Sequence, residues 1–286
     1  MTAAIYLARF HLSVAVLDDN TGRARSIPMS HNHAGFPEGI SGEELLCRMQ
    51  SQAVKYGAEI FHGKVDELGK VDGTFVARLG DTLVEGRAVL VATGTANRRP
   101  AMPPEEHDEA VARGLLRYCP VCDGFEVTDK PVAVIGSGSR GFKEAMFLRG
   151  YTKDLTLFVP ESDLTAGEIG RLKDVGIRVE QGPITSIVLG QDTISLATAT
   201  GVEAFASVYP ALGSDARSEL AAGLGARLSD EGCILVDDHQ RTSVPGVYAA
   251  GDVVIGLDQI SSAMGQAGVA ATTMRNDLSE KVALIR

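Results

Sequence analysis

The chain has 286 residues, 44% hydrophobic and 22% charged, the values of a soluble globular protein that buries one large core or two of ordinary size. With 27 basic against 37 acidic residues the formal net charge is −10, which argues against a nucleic-acid or anionic-membrane partner. No apolar run reaches the roughly 18 residues of a membrane span, no basic leader precedes an apolar signal segment, and four cysteines make no disulfide scaffold, so a reducing cytoplasm is the expected setting.

The opening, MTAAIYLARFHLSVAVLDD, reads as a short apolar helix carrying Ile5, Leu7 and Ala8, then a buried strand from Val14 to Leu17 that ends on Asp18 and Asp19. This is the helix–strand–acid order of a dinucleotide-binding unit, yet such a unit starts earlier, with a strand and a glycine-rich turn. Thirty-two glycines and few aromatics suit an α/β protein with many tight strand–helix turns. Boundaries are expected at PPEEHDEA near residue 104 and around Asp230 to Gly232.

The fullest dinucleotide signal is mid-chain, in PVAVIGSGSRGFKEAMFLRGYTKDLTLFVPE. Val132 to Ile135 is a β-branched strand, Gly136, Gly138 and Gly141 form G-x-G-x-x-G, and a helix runs to about Arg149. A second strand, Leu155 to Val159, ends beside Glu161, 20 residues after Gly141. The first glycine permits the tight turn, the second lets backbone approach a pyrophosphate, and the third lets helix pack on sheet. Laid under this unit, the opening puts Ala4 on Ala145 and Leu7 on Leu148, an offset of 141. That offset places the match of Gly141 immediately before Met1. The opening is therefore expected to be the second half of an N-terminally truncated dinucleotide unit.

RYCPVCDGFE places Cys119 and Cys122 in C-x-x-C just upstream. Zinc would need four ligands, and Cys47 and Cys233 stand alone, so no metal is expected. A structural disulfide does not suit a cytosolic chain. A redox dithiol fits best, because one thiolate can attack an external disulfide while its neighbour resolves the mixed disulfide. Asp123 could hand protons to a departing thiolate, or it could supply only an Asp-Gly turn with Gly124.

RYCPVCDGFE, the glycine-rich unit and TSVPGVYAAGDVV, together with GFPEGISGEELL and AVLVATGTANRRP, resemble in order the low-molecular-weight thioredoxin reductases, flavoproteins of the pyridine nucleotide–disulfide oxidoreductase class. The resemblance runs from Met1 to about Leu278. It implies an α/β fold of two Rossmann-like dinucleotide-binding domains, the NAD(P) domain inserted into the FAD domain. Residues 1–104 and 236–286 would be the FAD domain, and residues 105–235 the NAD(P) domain with the cysteines. It further implies FAD and NADH or NADPH as cofactors, a thioredoxin-like protein or small disulfide as substrate, and a homodimer.

By that resemblance Asp18 would hold the adenosine ribose of FAD, and Asn32 would lie near the flavin. Val65 would approach the adenine, though a buried strand valine explains it nearly as well. Thr93 and Gly94 would form the turn after AVLVA. Gly251 and Asp252 would meet the pyrophosphate and ribityl hydroxyls, and Gln259 and Ile260 would open the helix that faces the flavin ring. Cys122 would be the thiol nearer the flavin, Cys119 the attacking thiol, and Asp123 the acid/base. The two domains would rotate so that nicotinamide and cysteines take turns at the flavin.

Three departures stand out. The flavin glycine loop would lie before Met1. NADPH-using relatives carry arginines after the second strand of the inserted domain, where this chain has Pro160, Glu161 and Ser162, a pattern that favours a free ribose hydroxyl and NADH. Asp258 stands where the family has arginine, and Glu126 where an aromatic is common. Competing expectations are a flavin-dependent dithiol oxidase and a non-catalytic nucleotide-binding or redox-sensing module without FAD.

Overall fold

A computed structural model describes residues 1–161, 163–282 and 284, so Ser162 lies outside the described residues. The chain divides into two compact units, one of Met1–Arg25, Ser41–Ala96 and Asp215–Arg286, the other of Ser26–Ile40 and Asn97–Ser214.

In the first unit, helix α1 (Thr2–Arg9) buries a face of small and apolar residues, Ala3, Ala4, Ile5, Leu7 and Ala8. Strand β1 (Ala15–Asp18) follows, then helix α2 (Gly42–Lys55), whose Ser41 cap accepts the Glu44 N–H and so satisfies one of the free donors at the helix start. Strand β2 (Glu59–His62) runs parallel to β1. An antiparallel meander of β3 (Glu67–Val71), β4 (Thr74–Leu79) and β5 (Thr82–Gly86) leads to β6 (Val89–Val91), and β7 (Thr95–Asn97) carries the chain across.

The second unit opens with helices α3 (Pro104–Ala112) and α4 (Pro120–Asp123). Then come β8 (Val132–Ile135), α5 (Gly138–Leu148), β9 (Leu155–Val159), α6 (Ala166–Asp174) and β10 (Arg178–Gln181). A second meander, β11 (Ser186–Leu189), β12 (Ile194–Thr198) and β13 (Gly201–Phe205), precedes β14 (Ser207–Pro210). The parallel sheet has the order β10-β9-β8-β14. Every residue of β8, β9 and β14 is buried, as expected of parallel strands covered on both faces. One side of this sheet packs Phe142, Leu148, Leu157 and Leu172, and the other packs Ala110, Leu116, Phe158 and Phe205.

The chain returns through β15 (Ser214–Ala216) and α7 (Glu219–Gly223). Strand β16 (Val247–Ala249) pairs in parallel with β6, and the long helix α8 (Ile260–Lys281) packs on α1. Phe75, Val91, Ile234, Val247 and Val253 form the main core of this unit.

The mid-chain strands lie on the residues expected of them, and α5 ends at Leu148 with Arg149 as its cap. The opening strand differs. It runs from Ala15 to Asp18 and is not buried, with Ala15 exposed and the next three residues partly covered, because among the described residues it pairs with β2 alone. The unit divisions at 96/97 and 214/215 also differ from the turn signals near 104 and 230. Pro103 and Pro104 start a helix whose Ala110 sits in the second unit's core. Asp230 to Gly232 form a turn between the bridged residues Leu228 and Ile234, within the first unit.

Candidate active site

Cys119 and Cys122 are joined in a disulfide, with Cα atoms 5.2 Å apart, across the single turn of α4. Pro120 at the first helical position suits that turn, because its missing N–H is one the helix start leaves unpaired. The Cys119 sulfur accepts the Cys122 N–H at 3.1 Å.

Asp123 ends α4, and its carboxyl meets two donors. The Tyr209 hydroxyl from β14 donates to Oδ1 at 2.9 Å, and the Arg117 guanidinium lies 3.0 Å from Oδ2. Burial pushes the Asp123 carboxyl above the usual carboxylate range, while Arg117 and the Tyr209 bond pull against it. Two further carboxyls belong to this cluster. Glu126 Oε2 and Glu144 Oε1 are buried without a hydrogen-bond partner among the described residues. Glu144, on α5, is pushed up to about 7 by burial, with Asp123 adding to the rise and Arg140 opposing it. Burial of a carboxyl with an unpaired oxygen favours its protonated form.

In the same unit, β8 turns into α5 through Gly136, Gly138 and Gly141. A Cβ on Gly141 would stand 2.6 Å from the Gly136 carbonyl, and one on Gly136 would stand 2.8 Å from the Ala211 Cβ. Gly138 has φ +54, a conformation that favours glycine. The loop is thus a cradle that side chains would fill, and its residues fit a dinucleotide pyrophosphate. The acid that meets it is Asp163, whose Oδ1 accepts the Gly138 N–H at 2.5 Å. Glu161, the acid singled out by spacing, approaches through its backbone, donating to Ser137 Oγ at 3.3 Å.

The first unit gathers most of the residues expected at a flavin. Asp18 ends β1, opposite His62, and its Oδ1 accepts the Asn20 N–H. Asn20 in turn receives Arg25 at 3.0 Å, and Arg25 Nε is buried without a partner among the described residues. Val65 lies in the loop after β2, partly buried, and is not a strand residue. Gly94 has φ +67 with open space where a Cβ would be, and its carbonyl accepts the Arg217 N–H. The Thr93 hydroxyl donates to the Arg217 carbonyl at 2.5 Å. Gly251 donates its N–H to Gln266, and Gln259 caps α8, with Ile260 as its first residue. Asp252 is raised by burial and by the neighbouring charge of Asp258, and Arg23 offsets both. The unpaired Arg25 nitrogen and the open space at Gly94 fit an FAD lying along this unit. Asn32 belongs to the other unit, where its amide donates to the Val121 carbonyl at 3.3 Å, inside the cysteine turn.

Arg23, Arg117, Asp163 and Tyr209 were not singled out from the sequence. Arg117 carries the only local signal, standing two residues before Cys119; the partners of the others lie far away along the chain.

The model of the pyridine nucleotide-disulphide oxidoreductase family matches residues 1–267. The chain belongs to that family. Among its relatives, the thioredoxin reductase of Mycolicibacterium smegmatis is 32% identical over 271 residues, spanning 88% of this chain and 84% of the relative. The thioredoxin reductase of Listeria innocua is 30% identical over 98% of this chain and 91% of its own. The crystal structure of the Streptococcus pyogenes thioredoxin reductase superposes with a TM-score of 0.87 at 28% identity, covering 98% of this chain and 94% of that one. This member of the family therefore has the fold of two Rossmann-like dinucleotide-binding domains, one inserted in the other, and is an oxidoreductase that couples a pyridine nucleotide to a disulfide.

Proposed function

We propose that this protein is an FAD-dependent NAD(P)H:disulfide oxidoreductase of the thioredoxin reductase type, passing electrons through the Cys119–Cys122 disulfide to a thioredoxin-like protein or a small disulfide. The observation that carries this reading is the closed Cys119–Cys122 pair with Asp123 next to it, in the same unit as the glycine cradle. When bound, the nicotinamide and flavin supply the hydride and electron-pair chemistry. Gly136, Gly138 and Gly141 would hold the nicotinamide nucleotide. Asp18, Val65, Thr93, Gly94, Gly251, Asp252, Gln259 and Ile260 would hold FAD, with Arg25 added to that set. By the family resemblance Asn32 would lie near the flavin.

The chain's own residues perform the exchange step. Cys119 attacks the external disulfide, Cys122 attacks Cys119 to free the second thiol, and Asp123 carries protons to the departing sulfurs. Glu161 and the absence of arginines beside it favour NADH. The reading also takes the protein as a cytoplasmic homodimer. The cysteine usage supports the first, the family resemblance the second, and sedimentation checks the latter. Among the described residues no helix is long and apolar enough to cross a membrane.

The test is anaerobic addition of NADH to the purified protein. Flavin bleaching, followed by reduction of an added disulfide, is expected. The Cys119→Ser, Cys122→Ser double variant should still bleach but no longer reduce the disulfide. A second reading, the dithiol oxidase, is favoured by one contact: Asp163 puts a carboxylate on the Gly138 N–H, where a phosphate would bind. Lack of bleaching by either nicotinamide nucleotide, with flavin reduced by added dithiols, would select it.

A further inference from the structure

Arg117 sits in a seat built for it. Its Nε donates to the Gly114 carbonyl at 3.0 Å and to Ser207 Oγ at 3.2 Å, and the Ser207 hydroxyl itself donates to the Gly114 carbonyl at 2.7 Å. Ser207 is 2% exposed and Tyr209 is fully buried, so these anchors are rigid parts of β14. Gly114 has φ +67, and a Cβ on it would stand 2.7 Å from Arg117 Nη2. The glycine therefore leaves the space that the guanidinium fills. From this seat Arg117 Nη1 reaches Asp123 Oδ2, while Tyr209 holds Oδ1.

We propose that Arg117, seated on Gly114 and Ser207, is a positioning residue for disulfide exchange, fixing the Asp123 carboxyl at the end of the cysteine turn so that it can take and return the protons of the exchange. The proposal rests on the reading of Cys119–Cys122 as the redox pair. The exchange starts with Cys119 as thiolate, Cys122 as thiol and Asp123 protonated. Cys119 bonds to one sulfur of the external disulfide, the external S–S bond breaks, and the leaving thiolate takes the Asp123 proton. Cys122 then gives its proton to the Asp123 carboxylate and attacks the Cys119 sulfur. The mixed disulfide breaks, and the second leaving thiolate receives that proton from Asp123. Two thiols leave, the Cys119–Cys122 bond is restored, and Asp123 ends as carboxylate.

The second step requires Asp123 to be ionised before it accepts. The groups around it are Arg117 before α4, Tyr209 on β14, Glu126 in the turn after α4, and Glu144 on α5 with Arg140 beside it. Arg117 is the cation that opposes burial and the neighbouring Glu126 at Asp123. A guanidinium at this range favours the charged carboxylate, typically by one pKa unit or more.

The experiment uses the full chain, reduced with dithiothreitol, freed of reductant and mixed with the aromatic disulfide 5,5′-dithiobis(2-nitrobenzoate) from about pH 6 to about pH 9. With the free Cys47 and Cys233 replaced by serine in every variant, the first thiolate released reports attack by Cys119, and the second reports resolution by Cys122. Arg117→Gln is expected to slow the second release about tenfold at pH 7 and to recover at high pH, its profile displaced upward by about one unit. Arg117→Lys should restore part of the displacement, and Ser207→Ala should show a smaller displacement in the same direction. A second-release profile that is unmoved in Arg117→Gln, or lowered equally at all pH, would overturn the proposal, as would an unmoved profile in Ser207→Ala if Arg117→Gln does not fold. If the wild-type chain gives no second release while Cys119 is labelled, the redox-pair reading itself fails and the proposal with it.

Discussion

Arg23 Nη1 lies 3.0 Å from Asp258 Oδ2, and the same nitrogen is 3.5 Å from Asp252 Oδ2. Asp258 is the residue that reverses the charge expected before the last helix. The positive charge at this place comes instead from the turn after β1, and it separates two carboxylates that would otherwise repel.

Replacing Arg23 should therefore expose that repulsion. Arg23→Gln is expected to lower Tm and the proportion of bound flavin, whereas Asp258→Asn in the same background should restore part of both. The pair is partly exposed, so the coupling in a double-mutant cycle should be on the order of 0.5–1 kcal/mol. Thermal melts with the flavin-to-protein absorbance ratio measure it, and a coupling of zero would show that Arg23 does not offset the acids.

Two glycines separate a required position from a free one. Gly141→Ala puts a methyl 2.6 Å from backbone atoms of Gly136, which cannot rotate away. A loss of about 3 kcal/mol is expected, together with weakened nucleotide binding. Gly167→Ala, in α6 with nothing within 4 Å of the new Cβ, should instead stabilise by about 0.5–1 kcal/mol. Denaturant midpoints of the two variants check the contrast.

Glu144 links stability to pH. Its folded value of about 7 lies above the ordinary value of 4.5, so folding favours its protonated form. That stabilisation is complete below the ordinary value and fades as pH rises through the folded one. Unfolding free energy should fall between about pH 4.5 and pH 7, by on the order of 3 kcal/mol for this group if fully expressed. Glu144→Gln should flatten that slope. Urea titrations across the range give the answer, and an unchanged slope would remove Glu144 from the account.

Nucleotide choice should respond to position 161. Its backbone N–H meets Ser137 Oγ, which sets residue 161 beside the glycine loop. Glu161→Arg is expected to tighten NADPH about tenfold while changing NADH little, because only the former carries a 2′-phosphate on the adenosine ribose to pair with the guanidinium. Fluorescence titration with both nucleotides tests this without turnover.

Much of the framework was legible from the sequence by itself. A β-branched run, three glycines at fixed spacing and a second apolar run are local patterns, and β8, the glycine turn, α5 and β9 follow from them because strand period, turn strain and helix packing act within a few residues. The cysteine pair was equally plain, since its spacing matches one helical turn.

Tertiary structure decided what those elements face. Arg117 and Tyr209 lie 6 residues before and 86 residues after Asp123, so nothing local assigns them to one carboxyl. Asp163 rather than Glu161 meets the glycine loop with its side chain, because the chain turns after β9 and brings the later acid back to the Gly138 N–H. Asn32 travels with the cysteine turn, and the division between units falls at the crossing strands instead of at the proline- and glycine-rich turns. Sequence patterns record short-range backbone preferences. Charge partners and unit membership depend on which distant segments the folded core brings within a few ångströms, and burial then determines what each charge is worth.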